Sequence, residues 1–198
     1  YFRDGACAFY YPENLEGVRA SGAELQAIAP AADAEFPEVD GLYIGGGFPE
    51  VHATRLADNR GFTDQLRQAV AAGLPVYAEC GGLMYLSREL RVAGVAHEMA
   101  GVLDLVVEQT TSPQGHGYEV GTVDRENPFH PRGCELRGHE FHYSRVIGGA
   151  DLGRTVVSVD RGTGAGGGRD GVCVGSVWAS YLHLHGGATP GWAAGFLD

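Results

Sequence analysis

Four stretches of this 198-residue chain carry side chains that could do chemistry together. The first is Pro75-Val76-Tyr77-Ala78-Glu79-Cys80-Gly81-Gly82-Leu83-Met84-Tyr85-Leu86. It reads as a short apolar run, one acid, a cysteine, then two glycines opening a segment with helical spacing at Leu83, Leu86 and Leu90. A nucleophile on such a strand-turn-helix elbow is lifted into the open, and glycines remove the side chains that would block a substrate. The N–H groups and positive dipole end of the helix favour thiolate over thiol. Cys80 is the candidate nucleophile, although the same pattern also suits a buried cysteine behaving as a small hydrophobe.

The second stretch, Ala179-Ser180-Tyr181-Leu182-His183-Leu184-His185, supplies two histidines at i, i+2, either of which could serve a thiol as base. A His-x-His pair also ligates metals, but no further clustered His or Cys completes a site here, so no metal is assigned. The third, Gly45-Gly46-Gly47-Phe48-Pro49, follows an apolar run. Glycines there let backbone N–H groups approach a substrate, and two such donors stabilise a tetrahedral oxyanion; glycines after a strand also simply turn the chain. The fourth, Arg137-Gly138-His139-Glu140-Phe141-His142-Tyr143, mixes His, Glu and Arg beside a strand and carries no assignment alone.

The elements that must position these residues alternate. Tyr1 to Asp4 reads as a strand end, a helix fits Glu13 to Ala20 between Pro12 and Gly22, and a strand fits Glu24 to Ile28. Asp40 to Ile44 reads as a buried strand, and a helix from Phe62 to Ala72 places Phe62, Leu66, Ala69 and Val70 on one face before Gly73. Strands alternating with helices predict a parallel sheet covered on both faces, with ligands at the carboxyl ends of its strands. Both the glycine loop and the Cys80 elbow fall at such ends.

After Leu90 the texture changes to shorter strand-like runs at 102–107, 118–123, 141–146, 155–159 and 172–177, which suit antiparallel additions to the sheet. Gly162 to Gly168 reads as a flexible loop; its glycine spacing matches no phosphate-binding fingerprint, and no lysine follows. Thr189-Pro190 would cap and open a last helix carrying Trp192, Phe196 and Leu197.

Composition narrows the function. A formal net charge of -11 disfavours nucleic acid and anionic membranes as partners. All 14 basic residues are Arg, which removes any Schiff-base or P-loop lysine. Cys7, Cys80, Cys134 and Cys173 form no C-x-x-C pair, so neither a paired-cysteine zinc site nor a disulfide framework is expected. With no signal-like start and no apolar run near about 18 residues, the reading is a cytoplasmic protein of one domain. The first residue is Tyr1 rather than Met, which reads as a fragment of a longer polypeptide.

Taken together, the motifs resemble class I glutamine amidotransferases, and more closely the C-terminal glutaminase domain of the cobyrinic acid a,c-diamide synthase family. The resemblance runs nearly end to end, through Phe9-Tyr10-Tyr11-Pro12-Glu13-Asn14-Leu15, Gly41 to Glu50, Tyr77 to Leu86, Arg137 to Ser144 and Ala179 to His185, in the family's order. It implies a flavodoxin-like α/β fold, a mainly parallel sheet with helices on both faces and some antiparallel edge strands. It implies Cys80 as the nucleophile on the glutamine carboxamide, His183 as base and then acid, and N–H groups near Gly47 and Gly81 as the oxyanion hole, with His185 an auxiliary at most. Ammonia would pass to an N-terminal ATP-dependent synthetase domain, outside this chain, that uses ATP and Mg2+ to activate the a and c carboxylates of cobyrinic or hydrogenobyrinic acid. This chain itself would hold no cofactor.

Most class I amidotransferases carry His-x-Glu at the late position, where Glu orients His. Here the run is His183-Leu184-His185, as in the corrin branch, and the orienting group is unassigned. Three alternatives stand beside this reading: an amidase of another tetrapyrrole such as nickel-sirohydrochlorin, a non-catalytic docking module, and a Cys hydrolase of the DJ-1 type, with which Glu79 directly before the cysteine is compatible.

Overall fold

The computed structural model describes residues 1–189 and 191–195. Its elements are α1 (Pro12–Ala20), β1 (Leu42–Ile44), α2 (Ala53–Asp58), α3 (Arg60–Ala71), β2 (Val76–Glu79), α4 (Gly81–Leu86), β3 (Ser87–Val92), β4 (Val95–Glu98), β5 (Leu103–Gln109), β6 (Gly115–Val123), β7 (Glu135–His142), β8 (Ser144–Gly148), β9 (Thr155–Arg161), β10 (Arg169–Val174), β11 (Val177–Ser180), β12 (His183–Leu184) and α5 (Trp192–Gly195). Eight strands form one sheet in the order β1-β2-β11-β10-β9-β6-β7-β12; β4-β3-β5-β8 form a second.

The strand that leads to Cys80 is the middle of three parallel strands. Leu42, Val76 and Val177 lie in register, then Tyr43, Tyr77 and Trp178, then Ile44, Ala78 and Ala179. Because side chains alternate across a strand, this register sorts the two faces. The aliphatic rows pack into one apolar cluster with Phe2, Phe62, Leu66 and Leu83. The aromatic row packs into another with Leu15, Val18 and Trp192, and Tyr77 stacks on Trp178 at 5.9 Å between centroids. All four residues of β2 are buried, which is why it reads as a continuous apolar run closed by a single acid.

The α/β alternation thus holds around the elbow, and antiparallel pairing takes over from β10 onward. The order ends on β12, which follows β11 closely in sequence yet pairs with β7. The sheet therefore curls, and its last strand returns to the carboxyl end of β2: the Leu184 N–H donates to Glu79 Oε1 at 3.2 Å.

Several boundaries differ from the sequence reading. The helix after Cys80 stops at Leu86, and Leu90 lies buried in β3; Ser87 ends the turn by donating its hydroxyl to the Met84 carbonyl at 2.6 Å. The segment 24–28 makes one bridge, Ile28 with Phe2, rather than a strand. The run 141–146 is two strands, because the chain passes from one sheet to the other at Tyr143, and 172–177 is likewise divided between β10 and β11. Helix α3 ends as read, at Gly73 with φ 107°. Gly162 to Gly168 is tied down: Thr163 and Gly164 donate backbone N–H groups to Glu140 at 2.7 and 3.0 Å. Of the predicted last helix, Trp192–Gly195 is helical, while Pro190, Phe196 and Leu197 lie outside the described residues.

Candidate active site

Cys80 sits where β2 gives way to α4, at φ 46° and ψ -97°. Its N–H donates to the Ser180 carbonyl at 2.7 Å, extending the β2–β11 ladder, and its carbonyl accepts the Met84 N–H at 3.1 Å, opening the helix. Held by strand and helix together, the residue occupies a left-handed conformation that costs about 1–3 kcal/mol for a residue with a Cβ. The glycines beside it let backbones meet. A Cβ on Gly81 would stand 2.9 Å from the Gly47 nitrogen, and one on Gly82 would stand 2.8 Å from the Ile44 carbonyl oxygen.

The sulfur faces a cleft lined by Gly47, Phe48, Glu50, Phe141, His142 and Tyr143. Its hydrogen-bond contact is the Phe141 carbonyl at 3.9 Å. Burial pushes the thiol up to about 12, helped by the nearby Glu50 and Glu79 carboxylates and opposed by the Gly81 N–H. Burial outweighs the local preference for thiolate, since α4 is a short helix and one N–H from its first turn does not offset it. A thiol raised this far is protonated at pH 7. Alkylation of Cys80 by iodoacetamide should therefore rise roughly tenfold per pH unit up to about pH 10, followed by peptide mass mapping. A plateau near neutral pH would contradict it.

His183, buried at 5 % exposure, comes from β12 and packs against the glycine loop. A Cβ on Gly46 would run into its Cε1, and the Gly46 carbonyl carbon lies 3.3 Å from where a Gly81 Cβ would be. Cys80 and His183 thus flank the same pair of glycines, although no hydrogen bond joins them among the described residues. The His183 ring stacks on His139 at 4.7 Å and meets the edge of Phe9 at 5.3 Å. Burial, then the His139 and His142 rings, lowers its pKa to about 3, so the imidazole is neutral at rest and able to accept a proton.

Around it, the Gly46 and Phe48 N–H groups are spent on the Phe9 and Ala6 carbonyls, at 3.1 and 2.9 Å. The Gly47 N–H has no acceptor among the described residues, and it neighbours Gly81. His185 goes elsewhere: it accepts the Gly187 N–H on Nδ1 at 3.1 Å, packs on the Tyr11 ring at 4.6 Å, and places Nε2 4.0 Å from Glu13. The two histidines therefore do not share a face.

Acids and amides to which the sequence assigned no role hold the segment that delivers His183. Asp170, fully buried, accepts the Tyr181 N–H at 3.0 Å and the Leu182 N–H at 3.2 Å. Asn14 donates to the Leu184 carbonyl at 2.8 Å and accepts the Gly186 N–H at 2.7 Å. His142 stacks on Tyr181 at 3.8 Å and contacts Glu140 at 3.3 Å, and the Tyr181 hydroxyl pairs with Ser144 at 2.9 Å. Asn14, Tyr181 and the run around Glu140 lie in stretches the sequence singled out, while Asp170 gave no advance signal. Among the described residues, no group of three or more His, Cys, Asp or Glu is placed to hold a metal ion, and no helix is long and apolar enough to cross a membrane.

A family model described as a CobB/CobQ-like glutamine amidotransferase domain matches residues 1–190. The chain is 42% identical over 193 residues to the cobyrinate a,c-diamide synthase of Magnetococcus marinus, covering 98% of this chain and 41% of that protein. It is 38% identical over 196 residues to the synthase of the same name from Methanosarcina acetivorans, covering 92% and 39%. The chain therefore spans about two fifths of the length of these curated relatives. Among solved structures, PurLQS from Thermotoga maritima superposes with a TM-score of 0.60 at 16% identity, covering 87% of this chain and 80% of that one. A structure titled glutamine amidotransferase superposes at 0.57 and 20%, covering 86% and 83%; both likenesses concern the fold.

Proposed function

The chain belongs to the CobB/CobQ-like glutamine amidotransferase domain family, and from that premise we propose that it hydrolyses glutamine at Cys80 and supplies the ammonia for amidation of a corrin acid. The observation that carries the reading is the Cys80 elbow: a strained residue at the carboxyl end of the central parallel strand, facing a cleft and adjacent to the unspent Gly47 N–H.

In this reading His183 takes the thiol proton as the sulfur attacks the side-chain carboxamide carbon of glutamine. The oxyanion is met by the N–H groups of Gly47 and Gly81. Collapse breaks the C–N bond, and ammonia leaves with the proton held on His183. Water then attacks the thioester, again giving a proton to His183; glutamate departs and the thiol is restored. The first proton transfer requires bound glutamine to bring base and sulfur within hydrogen-bond reach, since no hydrogen bond joins them among the described residues of the resting site.

The names and lengths of the relatives support the rest. An ATP-dependent synthetase portion, using ATP and Mg2+, would lie in the part of those proteins that this chain does not span, and would activate the a and c carboxylates of cobyrinic or hydrogenobyrinic acid. The test supplies the full-length protein with glutamine, ATP and Mg2+ and offers cobyrinic acid or nickel-sirohydrochlorin as acceptor. Diamide formed from the corrin acid is the expected result. Turnover of the nickel tetrapyrrole alone would reassign the acceptor, and glutamine hydrolysis stimulated by neither would overturn the corrin reading.

A further inference from the structure

Glu79 closes β2 directly before Cys80 and is 1 % exposed, yet it faces away from the cleft, on the aromatic side of the sheet with Tyr43 and Tyr77. Oε1 accepts the Leu184 N–H at 3.2 Å, and Oε2 accepts the Tyr43 hydroxyl at 3.0 Å. One lone-pair direction on Oε2 remains, and 4.0 Å from it stands Nδ1 of His183, itself buried with no hydrogen-bond partner. A buried ring nitrogen without a partner is uncommon enough to need a reason. The neighbouring His139 cannot serve, because its Nδ1 is engaged with the Tyr11 hydroxyl at 2.7 Å and its ring lies parallel to that of His183.

We propose that Glu79 is the positioning residue for His183: its carboxylate accepts the Nδ1–H, fixing the tautomer that leaves Nε2 free to take the proton of Cys80. The inference rests on His183 being the base. The anchor is built for this, since the same carboxylate holds the backbone of Leu184, the next residue, so the acid sets both the position and the tautomer of the histidine. A shift of about 1 Å brings the pair within hydrogen-bond range. When His183 accepts the Cys80 proton, the resulting imidazolium then faces a carboxylate in a site shielded from water.

The arrangement has a pH signature. Burial raises Glu79 to about 8, against the pull of the Leu184 N–H and the Tyr43 hydroxyl. A protonated Glu79 can donate to Nδ1 and select the wrong tautomer; an ionised one selects the right one. Hydrolysis should therefore rise with pH as Glu79 ionises. The other titratable groups facing the pair are Tyr10, Tyr11, Tyr43, Tyr77, Cys80, His139 and His142. The four tyrosines and the thiol are raised, chiefly by burial, and His139 is lowered by burial, so these stay neutral through the interval in which Glu79 titrates.

The test compares kcat and KM for glutamine hydrolysis against pH in the full-length protein carrying Glu79→Gln, Glu79→Asp, His183→Ala, or Glu79→Gln with His183→Ala. Glu79→Gln should lower kcat by about 10²-fold, leave KM for glutamine little changed and abolish the ascending limb of the profile. Glu79→Asp should retain a limb at reduced rate. In the His183→Ala background Glu79→Gln should cost little more, because its effect runs through the imidazole; this comparison holds even where a single variant is less stable. A Glu79→Gln enzyme with the wild-type rate and profile, beside an inactive His183→Ala enzyme, overturns the role of Glu79 alone. An active His183→Ala enzyme overturns both this inference and the base assignment beneath it.

Discussion

Replacing Cys80 with alanine should lower glutamine hydrolysis by about 10⁴-fold or more while the full-length enzyme keeps amidating with free ammonia. Thioester formation needs the sulfur itself, whereas ammonia added to solution bypasses every step this site performs. Alanine is the suitable replacement because it accepts the same neighbours and carries the same strain at φ 46°. Glycine at this position removes the thiol and relieves the strain together, so Cys80→Gly should melt above Cys80→Ala. Loss of ammonia-dependent amidation along with glutaminase activity would mean that Cys80 supports the fold rather than the reaction.

Gly46→Ala is the second large effect. The methyl group would enter the space of His183 Cε1 and push the ring off its contacts with His139 and Phe9. Displacing a catalytic group by about 1 Å commonly costs about 10²-fold in rate, and kcat for glutamine should fall by that order. The thiol is not moved by the change, so iodoacetamide should still label Cys80 at pH 9 as in the parent. A variant hydrolysing glutamine at the parental rate would place the working base somewhere other than His183.

What the sequence made legible follows from which interactions are local. The elbow could be read because strand, cysteine and paired glycines are contiguous, and each is demanded by a backbone that must pass within van der Waals contact of Ile44 and Gly47. Helices α1 and α3 could be read from their proline and glycine boundaries. The extent of α4 could not: Leu90 keeps helical spacing with Leu83 and Leu86, but it is buried in β3 between β4 and β5, so a tertiary demand imitates a local period. The split at Tyr143 was hidden for a similar reason, since a chain changing sheets keeps its apolar texture.

From the residues alone the base was a choice between His183 and His185, and the family resemblance selected His183; the burial that distinguishes the two rings comes from β7, far away in sequence. The role of Asp170 lay beyond reading altogether, as its partners are two backbone N–H groups eleven and twelve residues on. The local pattern around Cys80 carries the helix dipole that favours thiolate but not the burial that opposes it, because that burial comes from distant segments.

The most direct measurement is labelling of the protein with 6-diazo-5-oxo-norleucine, a glutamine-like electrophile, followed by peptide mass mapping. A thiol near 12 reacts slowly with a general alkylating agent at pH 7, but a glutamine analogue seated in the cleft recruits His183 and should react faster there than iodoacetamide does. One adduct on Cys80, suppressed by excess glutamine, is the result expected of a glutamine-specific nucleophile. A full-length protein whose Cys80 ignores the analogue while iodoacetamide labels it would contradict glutamine as the substrate of this site.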